Sequence, residues 1–393
     1  MRLLETSSLA FEEYNDLSLI PSYAILSHTW DKEVTFDDMN GDRESLRRRQ
    51  GFQKVTNFCL KAREHLLNYA WVDTCCIDKR SSAELSAAIN SMYRYYANSA
   101  ACFIYLSDVD GEDAAQIKKS KGFTRGWTLQ ELNSPSVRYV FDSTWKPITF
   151  AHVTIPRVHG PFLTEVLARA SKVPVRVLQQ QTLIRTFCVA QCMSWASARK
   201  TTRDEDMAYC LMGLFDVHMP ILYGEGARNA FRRLQMEIMQ TSFDQTIFAW
   251  KGPYASSGLL ARQPSDFSDC PELAIWGPRF LSPFNMTNIG LSLRVVDVTA
   301  RNGEVVDRDA PMKAMIQCDV HTERRWGGLT LYLEPLVGAA VQINGAHRRA
   351  YRRIRCDELC FVDGDAMSAE PFLDILVLED EHYLLVLEAG RSD

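Results

Sequence analysis

The sequence predicts an α/β N-terminal domain built on a doubly wound, mostly parallel sheet, followed by a helical segment and a β-rich C-terminal domain. Three observations predict it. Apolar runs alternate with helical patterns between residues 20 and 150, and helical periodicity dominates from about 155 to 250. After about 280, short β-like runs follow one another with turn residues between them. A chain of 393 residues is too long for one ordinary core. The expected divisions are 1–150, 151–252 and 253–393.

The elements follow in order. "YAILSHTW" (Tyr23 to Trp30) is a strand running into a polar loop, followed by a helix around Ser45 to Asn68. "YAWVDTCCID" (Tyr69 to Asp78) is a second strand with a polar end. The run Ser82 to Ser99 is an amphipathic helix with Leu85, Ile89, Met92 and Tyr96 at helical spacing and Ser81 or Ser82 as its cap. "ACFIYLSDVD" (Ala101 to Asp110) and "VRYVFDSTW" (Val137 to Trp145) are the third and fourth strands. Apolar strands separated by helices imply a parallel sheet covered on both faces. Further on, Asp204 to Phe215 and Ala227 to Ser242 are amphipathic helices joined by a turn at "YGEG". The runs "LSLRVVDV", "KAMIQCDV", "LTLYLEPL", "ELCFVD" and "FLDILVLEDEHYLLVLEA" predict an antiparallel sheet, sandwich or partial barrel.

Composition narrows the function. Hydrophobic residues are 46% and charged residues 24%, normal for a globular chain, and the net charge of -5 argues against a nucleic-acid-binding protein. The basic clusters Arg47 to Gln50 and His347 to Arg355 are expected as solvated faces. No secretory leader is read at the N-terminus, and no apolar run reaches the ~20 residues that span a bilayer, so no membrane partner is expected. Eleven scattered cysteines imply a reduced, cytoplasmic protein rather than a disulfide framework. The C-x3-C pairs Cys188/Cys192 and Cys356/Cys360 lack a well-placed histidine, so no metal is expected.

Ligands of parallel sheets bind outside the carboxyl ends of the strands, at the switch in strand order. Those ends carry Ser27, His28 and Trp30; then Asp73, Cys76 and Asp78; then Asp108. The segment "RGWTLQEL" (Arg125 to Leu132) follows the third strand and, as a helix from about Trp127, stacks Trp127 and Glu131 on one face with Arg125 at the rim. Each residue also has a structural reading. His28, Asp73 and Asp78 serve equally as loop or helix caps. Cys75 and Cys76 serve as small buried hydrophobes, and Glu131 as the partner of Arg125 or Arg138. No glycine-rich phosphate loop is present.

The motifs "YAILSHTW", "YAWVDTCCIDK", "SAELSAAINSMYRYYANSAACFIYLSDV" and "RGWTLQEL" resemble successive signatures of the fungal heterokaryon incompatibility (HET) domain, and the likeness continues through "SWASARK" to "FDQTIFAW" and on to "GLLARQPSDF" and "MTNIGLSL". Asp31 stands where the family usually has glycine, and Gly122 where an aromatic is common. HET domains are similar to Toll/interleukin-1 receptor (TIR) domains, which have a flavodoxin-like sheet. In enzymatic TIR domains a glutamate on the helix after the third strand is needed for cleaving NAD, and "WTLQEL" places Glu131 on it. The resemblance implies a role in self/non-self recognition and the cell death that follows.

Three functions use these residues. In a nucleotide glycohydrolase, Glu131 stabilises an oxocarbenium-like ribose, Trp127 stacks on a ring, Arg125 holds a phosphate, and His28 and Asp73 line the opposite wall. NAD or NADP is then a substrate rather than a cofactor, no other cofactor is required, and self-association into a homo-oligomer is expected. In a stand-alone enzyme of fungal secondary metabolism, His28, Asp73, Cys76 and Glu131 carry acid–base or covalent chemistry on a small metabolite. In a non-enzymatic, self-assembling recognition module, Glu131 is structural.

Overall fold

The computed structural model describes residues 1–149, 161–270, 273–275, 282–299, 309–322, 325–343, 346–363 and 372–379. Contacts divide the chain into two compact units, Met1–Ile184 with Arg199–Glu225, and Arg185–Ala198 with Gly226–Asp393. The helical stretch 151–252 therefore contributes to both.

In the first unit, β1 (Arg2–Glu5) and β2 (Phe11–Glu13) form a hairpin ahead of β3 (Tyr23–His28), every residue of which is buried. Next come α1 (Phe36–Asn40), α2 (Arg43–Leu46) and α3 (Gln50–Glu64), where the sequence predicts one helix. The break lies at Arg49, whose extended backbone makes it the N-cap of α3. Gly51 is needed just after it, since a Cβ there would lie 2.3 Å from the Lys32 carbonyl oxygen. β4 (Tyr69–Trp71) stops short of Asp78 because the Val72 carbonyl accepts the amides of Cys75 and Cys76 at 3.3 and 2.8 Å and turns the chain. α4 (Ser82–Ala97) is capped by the Ser81 hydroxyl and buries Ala88, Ile89, Met92 and Tyr96. β5 (Ala101–Tyr105), α5 (Ala114–Lys119), α6 (Thr128–Asn133) and β6 (Arg138–Phe141) complete the α/β pattern.

The six strands lie in the order β2-β1-β4-β3-β5-β6. The four from β4 to β6 are parallel, while β1 runs antiparallel to β4 and to β2. The sheet is therefore mixed: its larger part is parallel, as expected, and a hairpin that was not expected adds an antiparallel edge. The hairpin gave no signal because "RLLE" and "FEE" are too short to show a period. Aromatic rings bind helices to the sheet: Phe58 of α3 meets Phe103 edge-on at 5.5 Å, and the Tyr96 hydroxyl of α4 donates to the Leu26 carbonyl at 2.8 Å.

Beyond α7 (Pro161–Ser171) and α8 (Val175–Leu178), α9 (Val189–Ala196) belongs to the second unit, and α10 (Asp206–Tyr209) returns to the first. The helix expected from Asp204 to Phe215 shrinks to α10 and a 3-10 turn at Met212–Leu214. At Gly213 the backbone lies so close to Tyr93 of α4 that a Cβ would fall 2.2 Å from the tyrosine Cβ.

The second unit contains α11 (Ala227–Thr241) and a β barrel. After the short strands β7 (Ser256–Ser257), β8 (Leu273–Ile275) and β9 (Asn285–Met286) come β10 (Gly290–Asp297), β11 (Met312–Thr322), β12 (Arg325–Ile343), β13 (Ala346–Ile354), β14 (Cys360–Asp363) and β15 (Phe372–Leu378). β10, β11, β12, β13 and β15 pair in a closed ring. A ring of five cannot alternate direction throughout, and its one parallel seam is β13–β15. Ladder register shifts between Pro335 and Ala340, where a residue without an N–H is tolerated. Arg353 is fully buried in this unit, its guanidinium 3.9 Å over the Trp250 ring and bonded to the Phe248 and Trp250 carbonyls. The predicted strand run past Leu378 lies outside the described residues after Glu379.

Among the described residues no helix is long and apolar enough to cross a membrane. Gly213→Ala should destabilise the folded chain by about 1–3 kcal/mol through overpacking against Tyr93. Equilibrium urea unfolding measures it, and an unchanged midpoint would refute the close approach.

Candidate functional site

β3 is the first of the parallel strands in the chain, with the second (β4) on one side and the third (β5) on the other. The chain passes from β3 to β4 on one side and then crosses back past β3 to β5 on the other, so the carboxyl end of β3 lies at a switch in strand order. Ser27 and His28 end this strand. The Ser27 hydroxyl donates to Glu131 Oε2 at 2.6 Å, tying α6 to it. His28 Nε2 lies 3.0 Å from Asp73 Oδ1, and the Trp30 indole N–H donates to Asp73 Oδ2 at 2.9 Å. Lys54 of α3 brings its Nζ within 3.2 Å of His28 Nδ1, donates to the Thr29 carbonyl and pairs with Glu33. Since an ammonium only donates, His28 Nδ1 is the acceptor and its Nε2 carries the proton given to Asp73.

The Trp30 ring, 42% exposed, has Lys79 Nζ 3.8 Å and the Arg125 guanidinium carbon 5.0 Å from its centroid. Arg125 is positioned by residues distant in sequence. Lys200 pairs with it as an isolated bridge, and the buried Arg199 donates to the Arg125 carbonyl at 2.8 Å and to Thr128 Oγ1 at 3.0 Å. Burial lowers the Arg199 pKa to about 10.

The two carboxyl groups differ in charge. For Asp73, burial works to raise the pKa, but the hydrogen bond and proximity of His28, the charge of Lys79 and the Trp30 bond outweigh it and hold it below the ordinary range. For Glu131, burial pushes the pKa up to about 8, the Asp73 charge adds to this, and Ser27, Arg125 and Arg199 only partly oppose it. Near neutral pH, then, Asp73 is anionic and Glu131 is largely a neutral acid. Separating two carboxyls in this way is how a site assigns acid and base roles.

Ser27, His28, Trp30, Asp73, Arg125 and Glu131 thus meet at one edge. The other expected residues bond to partners outside this group. The α6 helix begins at Thr128, not Trp127, and the Trp127 indole donates to Asp206 Oδ2 at 3.2 Å; Tyr223 holds the other oxygen at 2.9 Å. Asp78 binds Arg80 through both carboxylate oxygens. Asp108 accepts from Ser120 Oγ at 2.6 Å and from the Lys121 amide, capping the turn before Arg125. Cys76 is 2% exposed, its sulfur accepting from the Val72 amide. Sequence reasoning missed Lys54, Glu33, Lys79 and Arg199. Lys54 and Arg199 sit on helical or irregular stretches with no strand-end signal, whereas Lys79 directly follows the flagged Asp78.

Residues 23–117 match the family model "Heterokaryon incompatibility protein (HET)", and residues 229–279 match "Domain of unknown function (DUF8212)". The chain carries a HET domain. It is 39% identical over 254 residues to the vegetative incompatibility protein HET-E-1 of Podospora anserina, a match covering 61% of this chain and 18% of that relative. No solved structure matches the chain.

A raised folded-state pKa for Glu131 means that the folded protein holds this proton from its unfolded value near 4.5 to about 8. Over that window stability from this group is fully present at low pH and is lost as pH rises, by about 1.4 kcal/mol per unit. Glu131→Gln, which cannot ionise, should gain stability relative to the parent as pH rises from 5 to 8, read by urea unfolding at each pH. A difference that stays flat would place Glu131 in water.

Proposed function

We propose that this HET-domain chain acts in fungal incompatibility and the ensuing cell death by hydrolysing NAD or NADP at the carboxyl edge of its N-terminal sheet, in the cytoplasm. The observation that carries the reading is the Glu131 carboxyl, buried at the strand-order switch, bonded to Ser27 at 2.6 Å and with its pKa raised to about 8 beside anionic Asp73. The order of the parallel strands supports reading this unit as doubly wound and TIR-like. The free cysteines of the described residues suit a reducing compartment.

Glu131 is held largely neutral by its burial, and the positive nicotinamide ring of an arriving dinucleotide favours its ionised form, the carboxyl proton passing to solvent. The N-glycosidic bond then breaks with its electron pair leaving on nicotinamide, a neutral base. The carboxylate stabilises the positive charge that builds on the ribose, and water adding to C1′ gives a proton to Glu131. Arg125 and Lys79, beside Trp30, provide cations for the substrate phosphates, and Asp73 stays ionised throughout. Self-association of the chain belongs to this reading.

The enclosure of Glu131, only 6% exposed, supports a second reading, a self-assembling recognition module without turnover. The small-metabolite enzyme using Cys76 draws no support from so enclosed a sulfur.

When concentrated protein is incubated with NAD and with NADP, nicotinamide release should fall at least about 100-fold in Glu131→Gln, with a melting temperature at pH 6 no lower than the parent's. Absence of release from the folded parent chain at any concentration would sink the hydrolase reading in favour of the recognition module.

A further inference from the structure

A cleft of about 220 Å³ opens beside Lys54, lined by Asp31, Lys32, Gln50, Gln53, Asn57 and Ser107 together with the Tyr105–Trp145 pair. It lies at the carboxyl ends of β3 and β5, which pair side by side. Gln50, Gln53 and Asn57 fall at i, i+3 and i+7 of α3, so one helical stripe presents three amides to it, while the Lys54 ammonium among them already donates to His28, Thr29 and Glu33. Amides both donate and accept, as the Ser107 hydroxyl does. Tyr105 and Trp145 stack at 4.5 Å and 14°, and Trp145 holds a left-handed backbone (φ 63°), a conformation that costs energy in a bulky residue. Two contacts join the cleft to the candidate site: Lys54 Nζ to His28 Nδ1 at 3.2 Å, and Ser107 Oγ to Thr29 Oγ1 at 3.3 Å.

We propose that this cleft binds a nucleoside 5′-monophosphate, or the equivalent half of a dinucleotide, through the Gln50, Gln53 and Asn57 amides, with Lys32 meeting the phosphate. Mixed donors and acceptors beside an aromatic pair suit a flat base, whose edge alternates the same functions, and a ribose, whose hydroxyls both donate and accept. The volume lies below the ~300–1,000 Å³ of pockets for drug-sized ligands, which fits one nucleoside rather than two. Choosing a nucleotide over another hydroxylated ligand rests on the function proposed above.

The test is calorimetric titration of the full chain with AMP, adenosine and inorganic phosphate, repeated with Gln53→Ala/Asn57→Ala, whose side chains are exposed and whose loss should leave the melting temperature unchanged. AMP should bind saturably, more tightly than either adenosine or phosphate, and about tenfold more weakly to the double variant. No AMP binding, AMP binding indifferent to the double substitution, or phosphate binding as tightly as AMP would each overturn the proposal. AMP bound through these amides by a chain that releases no nicotinamide leaves the cleft standing while the hydrolase reading fails. Nicotinamide release without AMP binding does the reverse.

Discussion

Two carboxyl groups, Asp73 and Glu131, lie close enough at one edge of a buried sheet for the charge of the first to disfavour ionisation of the second. The surroundings resolve the conflict by unequal hydrogen bonding. Asp73 receives the ring N–H groups of His28 and Trp30, while Glu131 is buried with the Ser27 hydroxyl, and the charges of Arg125 and Arg199 only partly offset that burial. Much else follows from keeping that inequality. Lys54 and Glu33 fix the imidazole, Ser27 fixes the glutamate, and Arg199 fixes the backbone of Arg125. The edge is polar, yet each group in it is held by another.

The parts legible in the sequence are those where one residue run decides its own structure. "YAILSH" reads as a buried strand and is one, and the Ser27–His28 terminus could be named because strand ends of parallel sheets point to the ligand edge. The helix Ala227–Thr241 likewise declares itself by period. What stayed hidden depends on partners far along the chain. Trp127 has helical spacing to Glu131, but its indole is claimed by Asp206. Asp108 looks like a strand-end ligand residue and is spent as a cap for Ser120 and Lys121. The C-terminal runs signal strands, but not that five of them close into a ring, because closure is a matter of register between strands rather than pattern within one.

Family membership and chemistry also separate along the chain. The matched HET stretch, residues 23–117, includes Ser27, His28, Trp30 and Asp73 but ends before Arg125 and Glu131. The residues that hold Arg125 in place, Arg199 and Lys200, come later still, after an excursion of the chain through the second unit at Arg185–Ala198.

The closed barrel carries a consequence for how the chain reaches its native state. Both neighbours of β15 in the ring, β10 and β13, precede it, and the β10–β15 ladder couples residues as far apart as Gly290 and Leu378. Closure must therefore await the last of the ring strands to leave the ribosome, and non-local pairing of this kind slows folding. Until then the ring has two open edges, β10 and β13, whose unpaired amides and carbonyls are templates for any extended chain nearby. Nascent copies of this protein should be most dependent on chaperones during synthesis of that final strand.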